Sequence, residues 1–377
     1  MHKKILITLR TYNDIDNIVP AIWSLLENGH CVFVFGISDY DYENDYRIKF
    51  LKEYPNMNLY LCKRHNVALQ ILKYNVFSMM FFSIYKKIDI FISEWWRPTY
   101  RGVKGQIFLA TKLLNIKKIA LPHGYNVFLN DDVNINVASK LKCNPKIYSD
   151  RNEFDYYTFA TDIQRDQAIR LGIDKNIARS IGSARFSYKW HEILTSIENK
   201  PVRKYTNKIC ICFMTPHWSY NVNKKDTIAM IRAISKLENV VLYIKPHTRG
   251  SGNLDEMSKY GDPSNIKYIE DQTSFELICK TDITIAFGTS IIFESILQNK
   301  YIINPKYLHT NKTIFDAKES IYQATNINEV LEYIYLIQKG KSIINKNEYK
   351  AIIKEFVYNG LDVEPIDNYD NLILGGS

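Results

Sequence analysis

The sequence is poor in the features that mark a metal, redox or membrane-spanning protein. Its 377 residues include only six cysteines, Cys31, Cys62, Cys143, Cys210, Cys212 and Cys279, and no two are spaced as Cys-x-x-Cys. Cys210 and Cys212 alternate with Ile209 and Ile211, a pattern of buried reduced thiols on a strand and not of a zinc or dithiol site. No apolar run is long enough to span a bilayer. The longest, residues 76–85, is about half a span, is closed by Lys86-Lys87, and is expected to be a buried helix end. No signal peptide is expected either, because Met1-His2-Lys3-Lys4 leads into a short apolar run that stops at Arg10, so the protein is expected to be cytoplasmic. Lysine and arginine exceed acids by nine, yet no basic cluster of the nucleic-acid kind occurs. The positive surface suits anionic lipid headgroups or an acidic glycan instead.

Apolar residues at 46% and charged residues at 24% place the chain among folded globular proteins. Its length is enough for two domains, each with its own core. Short β-branched or aromatic runs at 5–9, 31–37, 58–62, 89–92 and 118–121 read as strands, and 15–28 and 103–114 carry apolar residues at helical spacing. A polar stretch at 197–207, containing Pro201, reads as a linker. The alternation then resumes: strands at 208–214, 240–244, 266–269, 282–286 and 301–303, with helices at 225–237, 274–279 and 291–298. We therefore expect an α/β protein with domains at 1–196 and 208–344, followed by a C-terminal helix and tail at 345–377. Ligands of such domains bind near the carboxyl ends of the strands.

Three strand ends carry candidate chemistry. Gly288-Thr289-Ser290 follows the strand at 282–286 and opens a helix, leaving free backbone N–H groups and two hydroxyls suited to a phosphate; Glu294 follows about one turn later, within reach of ribose hydroxyls. The same residues also fit an ordinary helix cap. Lys245-Pro246-His247-Thr248-Arg249 ends another strand, with alternating Lys245, His247 and Arg249 able to converge on a pyrophosphate without a metal, or to form a solvated loop. In the first domain, Pro122-His123-Gly124 offers His123 as base or hydrogen-bond donor and Gly124 as a point of close approach, beside Asn126; a structural turn histidine is the alternative. Glu94, before Trp95-Trp96, is placed in an apolar setting that favours acid–base work, with Trp95, Arg97 and Arg101 available to a sugar or anion. The bland counterpart is a core Trp pair with Glu94 bonded to Arg97. Asp131 and Asp132 add two carboxylates without a third metal ligand. Ser180–Ser187, containing Arg185, and Thr215-Pro216-His217-Trp218 are two further loops of the kind that border ligands.

Three of these segments resemble motifs of the GT-B glycosyltransferases of bacterial surface polysaccharide assembly, especially capsule transferases that use CMP-Kdo and the CDP-glycerol or ribitol phosphotransferases. Gly182-Ser183-Ala184-Arg185-Phe186 is similar to a Gly-Ser-Pro-Arg-Phe segment, Lys245-Pro246-His247 to Lys-Pro-His-Pro, and Gly288-Thr289-Ser290 with Glu294 to a Gly-Ser/Thr-Ser…Glu donor motif. Ala184 and Thr248 stand where the family carries prolines, and Pro122 where the phosphotransferases carry Trp. The resemblance implies two Rossmann-like doubly wound domains facing a cleft, with a nucleotide-activated donor held by Arg185, Lys245, His247, Arg249, Gly288, Thr289, Ser290 and Glu294. The acceptor, a glycan or lipid-linked glycan at the inner membrane surface, would meet Trp95, Arg97, Arg101, Gly124 and Asn126, and Glu94, His123, Asp131 and Asp132 form the catalytic pool. Neither a metal nor a separate cofactor is implied. A CDP-glycerol or ribitol type of polyol phosphotransferase is the alternative reading, and a nucleotide-sugar epimerase or a non-catalytic glycan-binding subunit the further one.

Overall fold

The computed structural model describes residues 2–62, 73–130, 133, 135–198, 207–247 and 264–375, and the side chains of all of these except 135–137. The chain divides into two compact units, the first made of Met1–Tyr125, Asn144–Ile197 and Lys354–Ser377, the second of Asn126–Cys143 and Glu198–Ile353.

The first unit is built on a parallel sheet of β1 (Lys4–Leu9), β2 (Cys31–Gly36), β3 (Met57–Leu61), β4 (Ile90–Glu94), β5 (Lys117–Leu121), β6 (Tyr156–Phe159) and β7 (Ala178–Ser180), in the order β3-β2-β1-β4-β5-β6-β7. Ile5 pairs with Val32 on one side and with Ile90 on the other. Helices cover both faces, so the consecutive apolar residues Ile5, Leu6 and Ile7 are all buried, without alternation. On one face lies α1 (Tyr12–Glu27), together with α2 (Tyr46–Leu51), α7 (Tyr188–Ile197) and α13 (Pro365–Leu374), and on the other α3 (Val76–Lys86) and α4 (Gly102–Leu113). The remaining α-helix among the described residues of the unit is α6 (Asp162–Arg170).

The C-terminal segment is fastened to this unit by polar bonds under the apolar contacts. Asp370 accepts from Ser24 Oγ at 2.6 Å and from Asn28 Nδ2 at 2.7 Å, while the Ser183 N–H donates to the Val357 carbonyl at 2.8 Å. Gly182 makes the closest approach. Its φ is +81° and a Cβ there would stand 2.8 Å from both Pro365 Cβ and the Val357 oxygen, so only glycine serves.

The second unit repeats the plan with β8 (Ile209–Met214), β9 (Val240–Lys245), β10 (Ile266–Tyr268), β11 (Ile283–Ile285), β12 (Tyr301–Pro305) and β13 (Tyr322–Ala324), all parallel, in the order β10-β9-β8-β11-β12-β13. Its helices are α5 (Ile135–Cys143), α8 (Lys224–Ser235), α9 (Ser274–Cys279), α10 (Ile291–Leu297), α11 (Ile327–Gln338) and α12 (Lys346–Ile352). Residues 126–130 join this unit through backbone bonds: Leu129 N–H to the Lys312 carbonyl at 2.9 Å, and Ile314 N–H to the Val127 carbonyl at 3.1 Å.

Two Rossmann-like units were expected and are present. In both sheets the strand order reverses once, between β1 and β4 and between β8 and β11. These are the topological switch points, at whose carboxyl ends such sheets leave a crevice. Three strands, β6, β7 and β13, lie beyond the sequence-based expectation; four residues or fewer give too little pattern to read. Cys210 and Cys212 are buried on β8 as expected, but Cys143 is exposed. The run at 76–85 is also not the buried helix end that its composition suggested. Met79 and Ser83 are buried, but Phe77, Phe81, Ile84 and Tyr85 are 61–78% exposed.

Candidate functional site

At the switch point of the first sheet a set of charges is packed under the carboxyl ends of β1 and β4. Glu94, the last residue of β4, has no solvent exposure. Its Oε1 is bonded to Lys104 Nζ from α4 and lies 3.6 Å from Arg10 Nε, just after β1. Lys104 is itself buried, with its ammonium 4.3 Å from the Trp96 ring centroid. Burial pushes the Lys104 amine down to about 8, against the pull of Glu94. Asp14 is also fully buried, because it sits in the first turn of α1 facing the sheet; its Oδ2 accepts the backbone N–H groups of Arg10 at 2.7 Å and Thr11 at 2.9 Å. Burial first, and then the nearby Glu94 charge, push the Asp14 carboxyl up to about 6. Arg10 alone of the four reaches solvent, with 45% of its side chain exposed. Glu94 Oε2, Asp14 Oδ1 and Thr8 Oγ1 are buried without a hydrogen-bond partner among the described residues.

Around this cluster, His123 follows β5, half-buried and edge-on to Trp95 with centroids 5.7 Å apart. Trp95 packs into the core beside Tyr157 and Phe159, and its indole N–H donates to the Thr158 carbonyl at 2.7 Å. Arg97 pairs with Asp150 at 2.7 Å, so the Glu94–Arg97 pair weighed from the sequence does not form and Lys104 takes that place. Arg101 is exposed at the start of α4, and a Cβ at Gly124 would meet open space. Asn126 belongs to the second unit, where its Oδ1 accepts from the Phe128 N–H at 3.1 Å. Arg185 lies in the first unit, paired with Asp16 at 3.2 Å. Asp131, Asp132 and Arg249 lie outside the described residues.

The second unit has a recess at its own switch point. Its walls are Thr215, Pro216 and His217 after β8, His247 after β9, Phe287, Gly288 and Thr289 after β11, and His309 and Asn311 after β12, closed by Phe128, Tyr220 and Val222. Gly288 has φ +60°, and a Cβ there would press on the Phe128 ring at 3.0 Å. The backbone N–H of His247 donates to Thr215 Oγ1 at 3.0 Å, and its ring stands edge-on to His217 at 5.6 Å. His217 also lies 5.1 Å from the Tyr220 ring. His309 is 8% exposed, stacked face to face on Phe287 at 5.3 Å, and neither ring nitrogen has a partner among the described residues. Burial lowers its pKa, against the pull of Asp316.

Of the motif residues in this unit, His247, Gly288 and Thr289 line the recess; Lys245, Ser290 and Glu294 are not part of its lining. Lys245 Nζ donates to the Gln272 carbonyl. Glu294 is buried and accepts from Ser274 Oγ at 2.7 Å, and Ser290 caps α10 without a side-chain bond. Sequence reading singled out none of Arg10, Asp14, Lys104, Tyr220, His309 and Asn311. Thr11-x-x-Asp14 after the first strand was the one available signal, and it reads equally as a plain helix cap.

No family model matches the chain, and no curated protein matches it. Solved structures do. A UDP-GlcNAc 2-epimerase from Neisseria meningitidis bound to UDP-GlcNAc superposes with TM-score 0.57 at 14% identity, covering 94% of this chain and 100% of that one. An Anabaena protein in complex with UDP and glucose gives 0.59 at 11% identity, covering 99% of each chain. A glycosyltransferase from Rickettsia africae gives 0.57 at 15% identity over the whole of both chains. At such identities the likeness establishes the shared GT-B type of fold.

Proposed function

We propose that the protein is a nucleotide-sugar-dependent glycosyltransferase. The observation that carries this reading is the recess at the second switch point, where flat aromatic and imidazole walls stand beside hydroxyl, amide and imidazole hydrogen-bonding groups at the carboxyl ends of four parallel strands. Ring faces suit a base or sugar ring, and Thr215, Thr289 and Asn311 suit hydroxyl and phosphate oxygens. That proteins of the same fold were solved with UDP, UDP-GlcNAc or glucose supports a nucleotide sugar as the ligand class. A CMP-linked sugar such as Kdo is the donor suggested by the sequence motifs, with a surface polysaccharide or lipid-linked glycan as acceptor.

In this reading the His247 or His217 ring donates a hydrogen bond to the leaving phosphate, whose charge is spread over fixed dipoles rather than over a metal. His123 serves as the base for the acceptor hydroxyl, since it reaches the surface beside the open Gly124. Glu94, which no acceptor touches while it is buried, holds Arg10 and Lys104. Arg10 then presents a half-exposed guanidinium to an anionic group of the substrate.

The epimerase reading is kept for one reason: several proteins of this fold are UDP-GlcNAc 2-epimerases. A thermal-shift panel of CMP, CDP, UDP, GDP and ADP, followed by incubation of the matching nucleotide sugar with and without acceptor, tests both. A nucleotide at about a hundred times its Kd stabilises the native state by about 2.7 kcal/mol. Release of nucleotide only when acceptor is present supports transfer; a changed sugar without acceptor makes the protein an epimerase. No response to any nucleotide overturns both.

A further inference from the structure

Helix α3 of the first unit packs on one side and leaves the other exposed. Its inner side, Val76, Met79, Met80 and Phe82, packs against the core under β2 and β4. Its outer side is not polar, as a covering helix of a water-facing protein would have it. Phe77 is 78% exposed, Phe81 70%, Ile84 61% and Tyr85 69%. At about 100° per residue these four positions share an arc of about 100°. They form one stripe rather than scattered single residues, and Phe81 and Tyr85 stack on each other at 6.1 Å, enlarging the apolar surface.

The charged residues of the helix and its two ends are all basic. The helix contains no acid. Lys73 stands before its first turn, and Lys86 and Lys87 close it. Lys86 lies 5.2 Å from the Tyr85 ring centroid, so its ammonium stays next to the stripe. The nearest following acid in sequence, Asp89, is engaged by the Lys4 backbone N–H at 2.8 Å. A short aromatic face framed by lysines is the composition of a surface that inserts shallowly at an anionic lipid–water boundary: rings sit among the headgroups and ammonium groups meet phosphates. Among the described residues no helix is long and apolar enough to cross a membrane, so such binding is peripheral.

We propose that the exposed face of Phe77, Phe81, Ile84 and Tyr85, with Lys73, Lys86 and Lys87 at its ends, docks the protein on an anionic lipid bilayer. The charge pattern favours this occupant over a second copy of the chain, whose identical stripe would bring the same lysines into like-charge opposition.

Sedimentation with vesicles tests it, using phosphatidylcholine alone and phosphatidylcholine with one-quarter phosphatidylglycerol. The full chain is expected to pellet with the anionic vesicles and to be released by high salt. The triple substitution Phe77→Ser, Phe81→Ser, Tyr85→Ser is expected to cut the partition more than tenfold, and Lys73→Gln with Lys87→Gln to cut it severalfold on anionic vesicles only. Circular dichroism shows whether the variants fold. Should the triple variant not fold, Phe77→Trp in the otherwise unchanged chain must show quenching by brominated acyl chains when anionic vesicles are added. Failure of the unchanged chain to pellet overturns the proposal. So does pelleting that the folded triple variant retains, absence of quenching, or a concentration-dependent dimer that the triple variant abolishes in a protein that ignores vesicles.

Discussion

The two units share a strand plan and differ in what they place at its switch point. The first packs full charges there, Glu94, Lys104 and Asp14, with no or little exposure, and lets only Arg10 reach water. The second places aromatic rings, imidazoles and hydroxyls there, including a buried imidazole with no partner among the described residues. Buried charges must compensate one another or destabilise the fold, so in the first unit stability and the site are tied together. Uncharged polar groups left open cost less and remain available, so in the second unit the site can be altered with little effect on the fold.

The largest effect that separates the units is expected from Lys104→Met. Methionine fills a similar volume but leaves the Glu94 carboxylate buried with only the more distant Arg10, and breaking such a pair by removing one partner costs about 3–5 kcal/mol. Urea unfolding followed by tryptophan fluorescence would measure it; a loss below about 1 kcal/mol would mean that Glu94 is not the buried charge its position indicates. Replacing Glu94 by Gln in the same background should recover part of the loss.

Next comes a pH effect carried by Asp14. Its carboxyl is raised from 3.8 to about 6 in the folded protein, so between these values the native state holds more protons than the unfolded chain. Its contribution is therefore fully present below about pH 4 and is lost as pH rises through about 6, amounting to about 3 kcal/mol at about 1.4 kcal/mol per unit. Asp14→Asn keeps an oxygen for the Arg10 and Thr11 N–H groups and cannot ionise. The difference in stability between variant and unchanged protein should thus grow in the variant's favour from pH 4 to pH 6.5 and then level off. Parallel curves would show that Asp14 titrates normally.

The contrast also explains what was legible in the sequence. Long buried strands such as β1, β2 and β8 announce themselves because both faces are covered and most of their residues are apolar. Gly288 was readable because a strand running into Gly-Thr-Ser is a local pattern, and Gly288 does line the second recess. Lys104 looks like any helix lysine, and Asp14 like any capping acid; only the sheet order that sets β1 beside β4 brings them against Glu94. His309 stands alone in sequence and acquires meaning from the Phe287 ring beneath it. Helix α3 misled for a different reason. Apolar residues all round a helix signify burial on both sides, and the composition of 76–85 does not show that one side has nothing on it.

The smallest effect on stability, and the sharpest on ligand binding, is expected from His309→Phe. Phenylalanine keeps the flat contact with Phe287 and removes two buried nitrogens that have no partner among the described residues. A polar group left unsatisfied costs about 1–3 kcal/mol, so its removal should leave the melting temperature of the free protein unchanged or raised. If the recess holds the nucleotide, those nitrogens are paired only in the complex, and the substitution should abolish most of the ligand-induced shift that the unchanged protein shows. Lowered stability with an intact ligand shift would make His309 a core residue and would move the nucleotide elsewhere in the unit. Raised stability with a lost shift would assign the imidazole to the ligand, and would show that this unit, unlike the first, carries its site at a cost to its own fold.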